Sequence, residues 1–238
     1  MLLLATALLY AWALRGPAVE SAPVRPGDAA IDQSTLHDAL RAPSFWFLTL
    51  AFGLNSFVVA AMWAHLMSAF AAKGLSQAQA LAVVVWFGPA QVAGRFAYLL
   101  FGRWLAPRTL GMVVLFCLPL AVAIFALAQQ TIALLVFAVL FGLANGLVTI
   151  VRGSLVPDYF GRAHIGRISG AMTAIALLSR AGAPLATAAL LVALAGYREM
   201  LLVLVAIGVS ALVAFASAGP PRALSCARST SRDKVNSA

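Results

Sequence analysis

Arg180 is the residue whose type and position point most directly to chemistry. It stands inside an apolar run, 13 residues after Arg167, about 19–20 Å along a helix. From that depth the side chain cannot easily extend to either membrane surface. A charge in hydrocarbon is costly unless a cavity or a partner receives it. The planar guanidinium suits bidentate contact with a carboxylate, so one reading is a fixed cation that binds an anionic substrate. The other is a structural arginine, held by helix carbonyls or by an acid on a missing segment. Pro184, four residues later, removes the hydrogen bond to the Arg180 carbonyl. That oxygen is then free to face a cavity, as in broken transporter helices.

Other polar residues interrupt the apolar runs more quietly. Asn55, Gln91 and Asn145 each fall well inside a run and are candidates to hydrogen-bond substrate, with interhelical bonding as the alternative. Arg95 lies eight residues before Arg103, about 12 Å from the loop that follows. It is read as extending to that surface or as joining an ion pair there. Arg95, Arg103 and Asp158 form a candidate gate: Asp158 and Arg162 are four apart, so one helical turn would pair them. His65 is a weaker candidate for proton relay. Gly142 and Gly146 suit close helix packing.

Several chemistries find no residues. Asp158 and Glu199 are read as loop residues, the latter at the edge of the last run, so these helices are expected to offer no membrane carboxylate for proton coupling. The histidines (His37, His65, His164) and the cysteines (Cys117, Cys226) lack metal-ligand spacing. Ser154 lacks a nucleophile's context. The expectation is therefore a non-enzyme with no cofactor. Net charge is +9, but the basic residues lie between apolar runs and form no stripe for nucleic acid.

The elements that must position these residues are helices in a bilayer. Hydrophobic residues make up 63% of the chain and charged residues 10%, a balance no soluble fold could bury. Apolar runs at 44–71, 79–101, 109–128, 131–151, 167–194 and 197–217 each suffice to cross about 30 Å of hydrocarbon. Only helices satisfy the backbone there. The sequence thus predicts an all-α membrane protein with six full transmembrane helices in a bundle over 44–217. The run at 1–14 is too short to span and lacks the basic flank of a signal peptide. It is read as the remnant of a truncated helix, so the gene is expected to start inside a longer protein. Residues 15–43 read as a polar, cytoplasmic linker and 218–238 as a disordered cytoplasmic tail.

Charge sets the expected orientation. Arg15, Arg25, Arg41, Arg103, Arg108, Arg152, Arg162, Arg167, Arg222, Arg228, Arg232 and Lys234 fall on one side, and only Lys73 and Arg198 on the other. The richer side is expected to be cytoplasmic. The arginine- and alanine-rich composition suggests a bacterial protein of the inner (plasma) membrane. Polar residues gather in the first, second, fourth and fifth spans, while the third and sixth hold almost none. Four helices are expected to line an aqueous path, with two peripheral.

The stretches Gly88-Pro-Ala-Gln-Val-Ala-Gly-Arg95, Gly102-Arg-Trp-Leu-Ala-Pro-Arg108, Val156-Pro-Asp-Tyr-Phe-Gly-Arg162 and Gly166-Arg-Ile-Ser-Gly170 carry a resemblance. Over residues 41–217 the chain resembles the carboxyl-terminal half of a major facilitator superfamily transporter. It is similar to the monocarboxylate-porter-like and oxalate–formate-antiporter-like branches. The resemblance implies secondary transport of a small solute, such as an organic anion, by alternating access, with an amino-terminal half as partner in the bilayer. Pro107 stands about where the family's loop motif carries an acid. A non-transporting membrane subunit, or an inactive fragment of a longer transporter, is the alternative.

Overall fold

A computed structural model describes residues 34–194 and 196–221, apart from the Arg103 side chain. The segment at 1–14, most of the linker and residues 222–238 lie outside the described residues.

The linker expected over 15–43 ends in structure. A short helix, α1 (Leu36–Arg41), opens with a capping box in which the Thr35 hydroxyl accepts from the Asp38 N–H and the Asp38 carboxylate accepts from the Thr35 N–H. Ala39 and Ala42 are buried. The first span, α2 (Pro43–Ala72), starts directly after it. Pro43 suits that start, where its missing N–H would have no partner anyway.

The second span is divided into α3 (Gln77–Val84) and α4 (Phe87–Phe101). Pro89 explains the division, because it cannot donate back to the carbonyl four residues earlier. The others are α5 (Pro107–Leu127), α6 (Thr131–Phe160), α7 (Ile165–Leu194) and α8 (Tyr197–Ser217). Six helical segments, counting α3–α4 as one, are long and apolar enough to cross a membrane. The chain is an all-α, multi-pass membrane protein.

The fourth span runs nine residues past its expected end at 151. Charge made Arg152 and Asp158 look like loop residues. Nothing breaks the helix there, however, until Gly161, whose φ of +78° suits glycine. Arg152 and Asp158 are therefore helical residues within a span, and Glu199, also expected in a loop, lies in the first turn of α8.

In the bundle, neighbouring helices follow the order α4, α6, α5, α8, α2, α7. α2 and α6 also meet across the middle through aromatic rings: Trp63 on Phe141 and Phe45 on Phe160, each with centroids 6.1 Å apart. This places α5 and α8, the two apolar spans, on one side of the α2–α6 pair. The polar-bearing α4 and α7 stand at the two ends of the row. α6 and α7 share few contacts, so the face between α4 and α7 is open. Their outer surfaces are uncovered, with Leu99, Leu178 and Leu185 exposed.

The two ends of the bundle are closed differently. At the end carrying Lys73, Phe70, Phe125, Phe137, Phe87 and Trp63 form a continuous chain of ring contacts with centroids 4.5–5.7 Å apart. The Lys73 ammonium donates to the Ala126 and Ala128 carbonyls at 3.4 and 2.8 Å, satisfying oxygens at the end of α5. At the basic end, Arg108 donates to the Ala216 carbonyl at 3.0 Å, and the Tyr159 hydroxyl donates to the Gly219 carbonyl at 2.6 Å. Ala218 and Pro221 are buried. The first residues of the expected tail are thus packed onto the bundle, because Tyr159 supplies a donor that holds them.

Candidate functional site

The open face is built from α6 and α7, flanked by α4 and α2. Contact stripes show which side chains turn toward it. Gly142 and Gly146 leave room for α4, whose Phe87 and Gln91 backbones would crowd any added Cβ at 2.8 and 2.7 Å. Asn145 lies between that stripe and the Phe141 stripe that meets α2. It is partly exposed and faces the opening.

Arg152 follows seven residues after Asn145, on the same stripe and about 10.5 Å nearer the basic end. Its Nη2 donates to the Thr173 hydroxyl of α7 at 2.8 Å. Its guanidinium lies 5.9 Å from the centroid of the Phe52 ring of α2. One side chain thus ties α6 to α7 and rests on α2. The Thr173 hydroxyl in turn donates to the Ser169 carbonyl at 2.6 Å.

Arg180 follows seven residues after Thr173, again on the same stripe and about 10.5 Å along the axis. α7 runs opposite to α6, so Arg180 and Asn145 lie at matching depth beyond the Arg152–Thr173 bond. Arg180 sits at the middle of its 30-residue helix and is exposed on the open face, with no hydrogen bond to any described residue. No helix carbonyl or acid among the described residues holds it. Ser179 turns 100° away and meets α2 at Gly53, whose added Cβ would lie 3.4 Å from the Ser179 hydroxyl.

Arg95 departs from expectation. Its side chain does not extend toward the basic end. Nε donates at 3.4 Å to the Gly146 carbonyl, an acceptor it shares with the Thr149 hydroxyl. The glycine contact brings α4 close enough for this, and helical side chains lean toward their own N-terminus. Gln91 packs its backbone on Gly146, and its side chain is only partly exposed at that seam.

Asn55 is turned elsewhere. It is 5% exposed and lies two residues, or 200°, from Gly53, on the far side of α2 from α7. Ser56 takes the position toward the opening. Asp158 and Arg162 make no direct ion pair, although Arg162 stays close enough to act on the carboxyl through space. Gly161 ends α6 between the two residues, so Arg162 is not on the next turn, and Asp158 makes no ion pair with it or with Arg95. Arg103 lies in a single 3₁₀ turn, Gly102–Trp104. His65 leaves Nε2 buried without a partner, its ring 6.4 Å from that of Tyr197.

Arginines from three helices, Arg95, Arg152 and Arg180, therefore border one face, and none pairs with a carboxylate among the described residues. Two cavities open at helix ends, one beside Arg41 and Tyr159, the other beside Lys73, Arg198 and Glu199. Neither reaches Asn145, Gln91 or Arg180, which lie on the open face instead. Arg152 was missed because a charge next to an apolar run resembles a loop. The available signal was that no proline, and only the single Gly153, separates Gly146 from Pro157. No protein-family model matches this chain, and no curated protein matches it either.

Proposed function

We propose that this chain is a six-helix unit of a secondary transporter of the major facilitator type, moving a small organic anion. The observation that carries the reading is Arg180 on the open face, near Arg95 and Arg152, with no carboxylate paired to any of the three among the described residues. An unpaired cation in a membrane-spanning segment needs a counter-charge, and an anionic substrate supplies one. The arrangement of helices supports the same reading. The polar-bearing α2, α4, α6 and α7 border the face, and the apolar α5 and α8 lie away from it. A second six-helix unit packed on α4 and α7 would cover the face and create a site at the midplane, where such transporters bind substrate.

Arg180 is assigned the first contact with the anion, with Asn145 and Gln91 at the same opening. The richer basic end is assigned to the cytoplasm by the positive-inside bias. The test is saturable uptake of labelled small carboxylates by proteoliposomes carrying the protein. Arg180→Ala is expected to abolish saturation, while Arg180→Lys weakens it by losing the planar fork. Uptake unchanged in Arg180→Ala overturns the assignment. Labelling of cysteines in the 102–108 loop from outside the cell overturns the topology.

A further inference from the structure

Arg152 differs from the other two arginines in being held across a gap. α6 and α7 share few contacts, and at this level the hydrogen bond from Arg152 to Thr173 bridges them. The bond uses one of five guanidinium donors. Phe52 covers one face of the group at 5.9 Å, and no described carboxylate neutralises it. Thr173 is a neutral, replaceable acceptor. Its single hydroxyl oxygen competes poorly with a carboxylate, which brings a negative charge and two oxygens that match the guanidinium fork.

Direction adds a second argument. Side chains on a helix lean toward its N-terminus. By that rule Arg152 on α6 would lean away from the basic end, and Arg180 on the antiparallel α7 toward it. The two cations would therefore lean into the same interval, bounded by Thr173 at one level and Asn145 at the other. An anion entering that interval from Arg180 meets the spare donors of Arg152 next.

We propose that Arg152 is a second anion-binding residue, and that a substrate carboxylate displaces Thr173 from it. Binding then releases the tie between α6 and α7, so occupancy of the site and closure at the basic end are coupled. This rests on the anion-transport reading above and assigns Arg152 a role that reading does not need. Phe52 lies against the planar guanidinium and orients it in both states.

The experiment uses the full chain in lipid nanodiscs and phenylglyoxal, which modifies arginine, with mass spectrometry resolving each site. Acetate is the probe, against sodium chloride at equal ionic strength. Acetate is expected to slow modification of Arg152 by about fivefold or more, and of Arg180 likewise. Thr173→Val keeps the shape but removes the acceptor. It is expected to raise Arg152 reactivity without acetate and to lower the acetate concentration needed for protection by about fivefold. A merely structural tie predicts the opposite, namely no protection and no gain in affinity. Arg152 unreactive even in Thr173→Val, or equally reactive with and without acetate, overturns the proposal. Protection of Arg180 alone overturns it while leaving the transport reading intact. Protection of neither arginine, together with no saturable uptake in proteoliposomes, removes both.

Discussion

Aromatic rings join four helices at the Lys73 end of this bundle, whereas at the basic end they join α2 to α6 through Phe45 and Phe160. At the Lys73 end, rings from α2, α4, α5 and α6 interlock. Phe137 and Phe125 stack at 4.5 Å, and Phe70 meets Phe125 edge-on at 4.9 Å. Such pairs contribute about 0.5–1.5 kcal/mol each beyond area burial, and few rearrangements keep them all. Toward the basic end, α6 and α7 are joined by a guanidinium bonded to one hydroxyl. A hydrogen bond to a charged group contributes about 1.5–3 kcal/mol and exchanges readily for another acceptor. On the proposed reading, one end of the bundle holds its shape and the closure of the other depends on what Arg152 binds.

Truncating the aromatic end should have the largest effect. Phe137 is 0% exposed and touches Phe87, Phe125 and Phe141. Phe137→Ala is expected to cost about 3–5 kcal/mol, seen as a large fall in the melting temperature of the purified protein in detergent. A loss under about 1 kcal/mol would mean the rings do not hold that end together.

Wedging α4 off α6 comes next. A Cβ on Gly146 would meet the Gln91 carbonyl oxygen at 2.7 Å, and backbone cannot swing aside as a side chain does. Gly146→Val is expected to cost about 1–3 kcal/mol and to break the Arg95 hydrogen bond. Crosslinking between cysteines introduced on α4 and α6 should fall. Unchanged crosslinking would show that the seam is loose, and would erase the contrast between the two ends.

Removing Arg180 should barely alter stability, because it is exposed and has no hydrogen bond to a described residue. Arg180→Ala is expected to shift unfolding by within about 0.5 kcal/mol while removing saturable anion uptake. A melting temperature as low as that of Phe137→Ala would make Arg180 a structural residue.

The smallest expected effect lies at the surface. The Thr35 hydroxyl and backbone N–H hold the Asp38 carboxyl below the usual aspartate range, with minor help from His37 and Arg41. A depressed folded value means the cap contributes above the ordinary aspartate pKa and is lost as pH falls through the folded one, in a window below about pH 4. Carbon-13 NMR of Asp38 should report this titration, and Thr35→Ala should return it toward the ordinary value. An unmoved titration in Thr35→Ala would dismiss the capping box as the cause.

Much of the architecture was legible because the bilayer leaves few options. Long apolar runs must be helices, and their number follows from their length. The depth of Arg180 followed from counting residues from Arg167. The grouping of polar residues on four of six spans was equally visible, since composition needs no coordinates. Boundaries were less legible where charge and helix overlap, and Arg152 and Asp158 were read as loop residues for that reason.

Sequence alone thus determined the class of fold, the count of spans and the residues worth suspecting, because each depends on local composition and on helical rise. Only tertiary structure decided where those residues point. Asn55 and Ser56 are adjacent in sequence, yet one belongs to the buried side of α2 and the other faces the opening. Arg95 turns to Gly146 because two glycines on α6 let α4 approach. Arg152 reaches Thr173 because antiparallel helices bring residues 21 apart to the same depth. Rotation of each helix about its axis is set by which neighbours pack against it, and no single span carries that information.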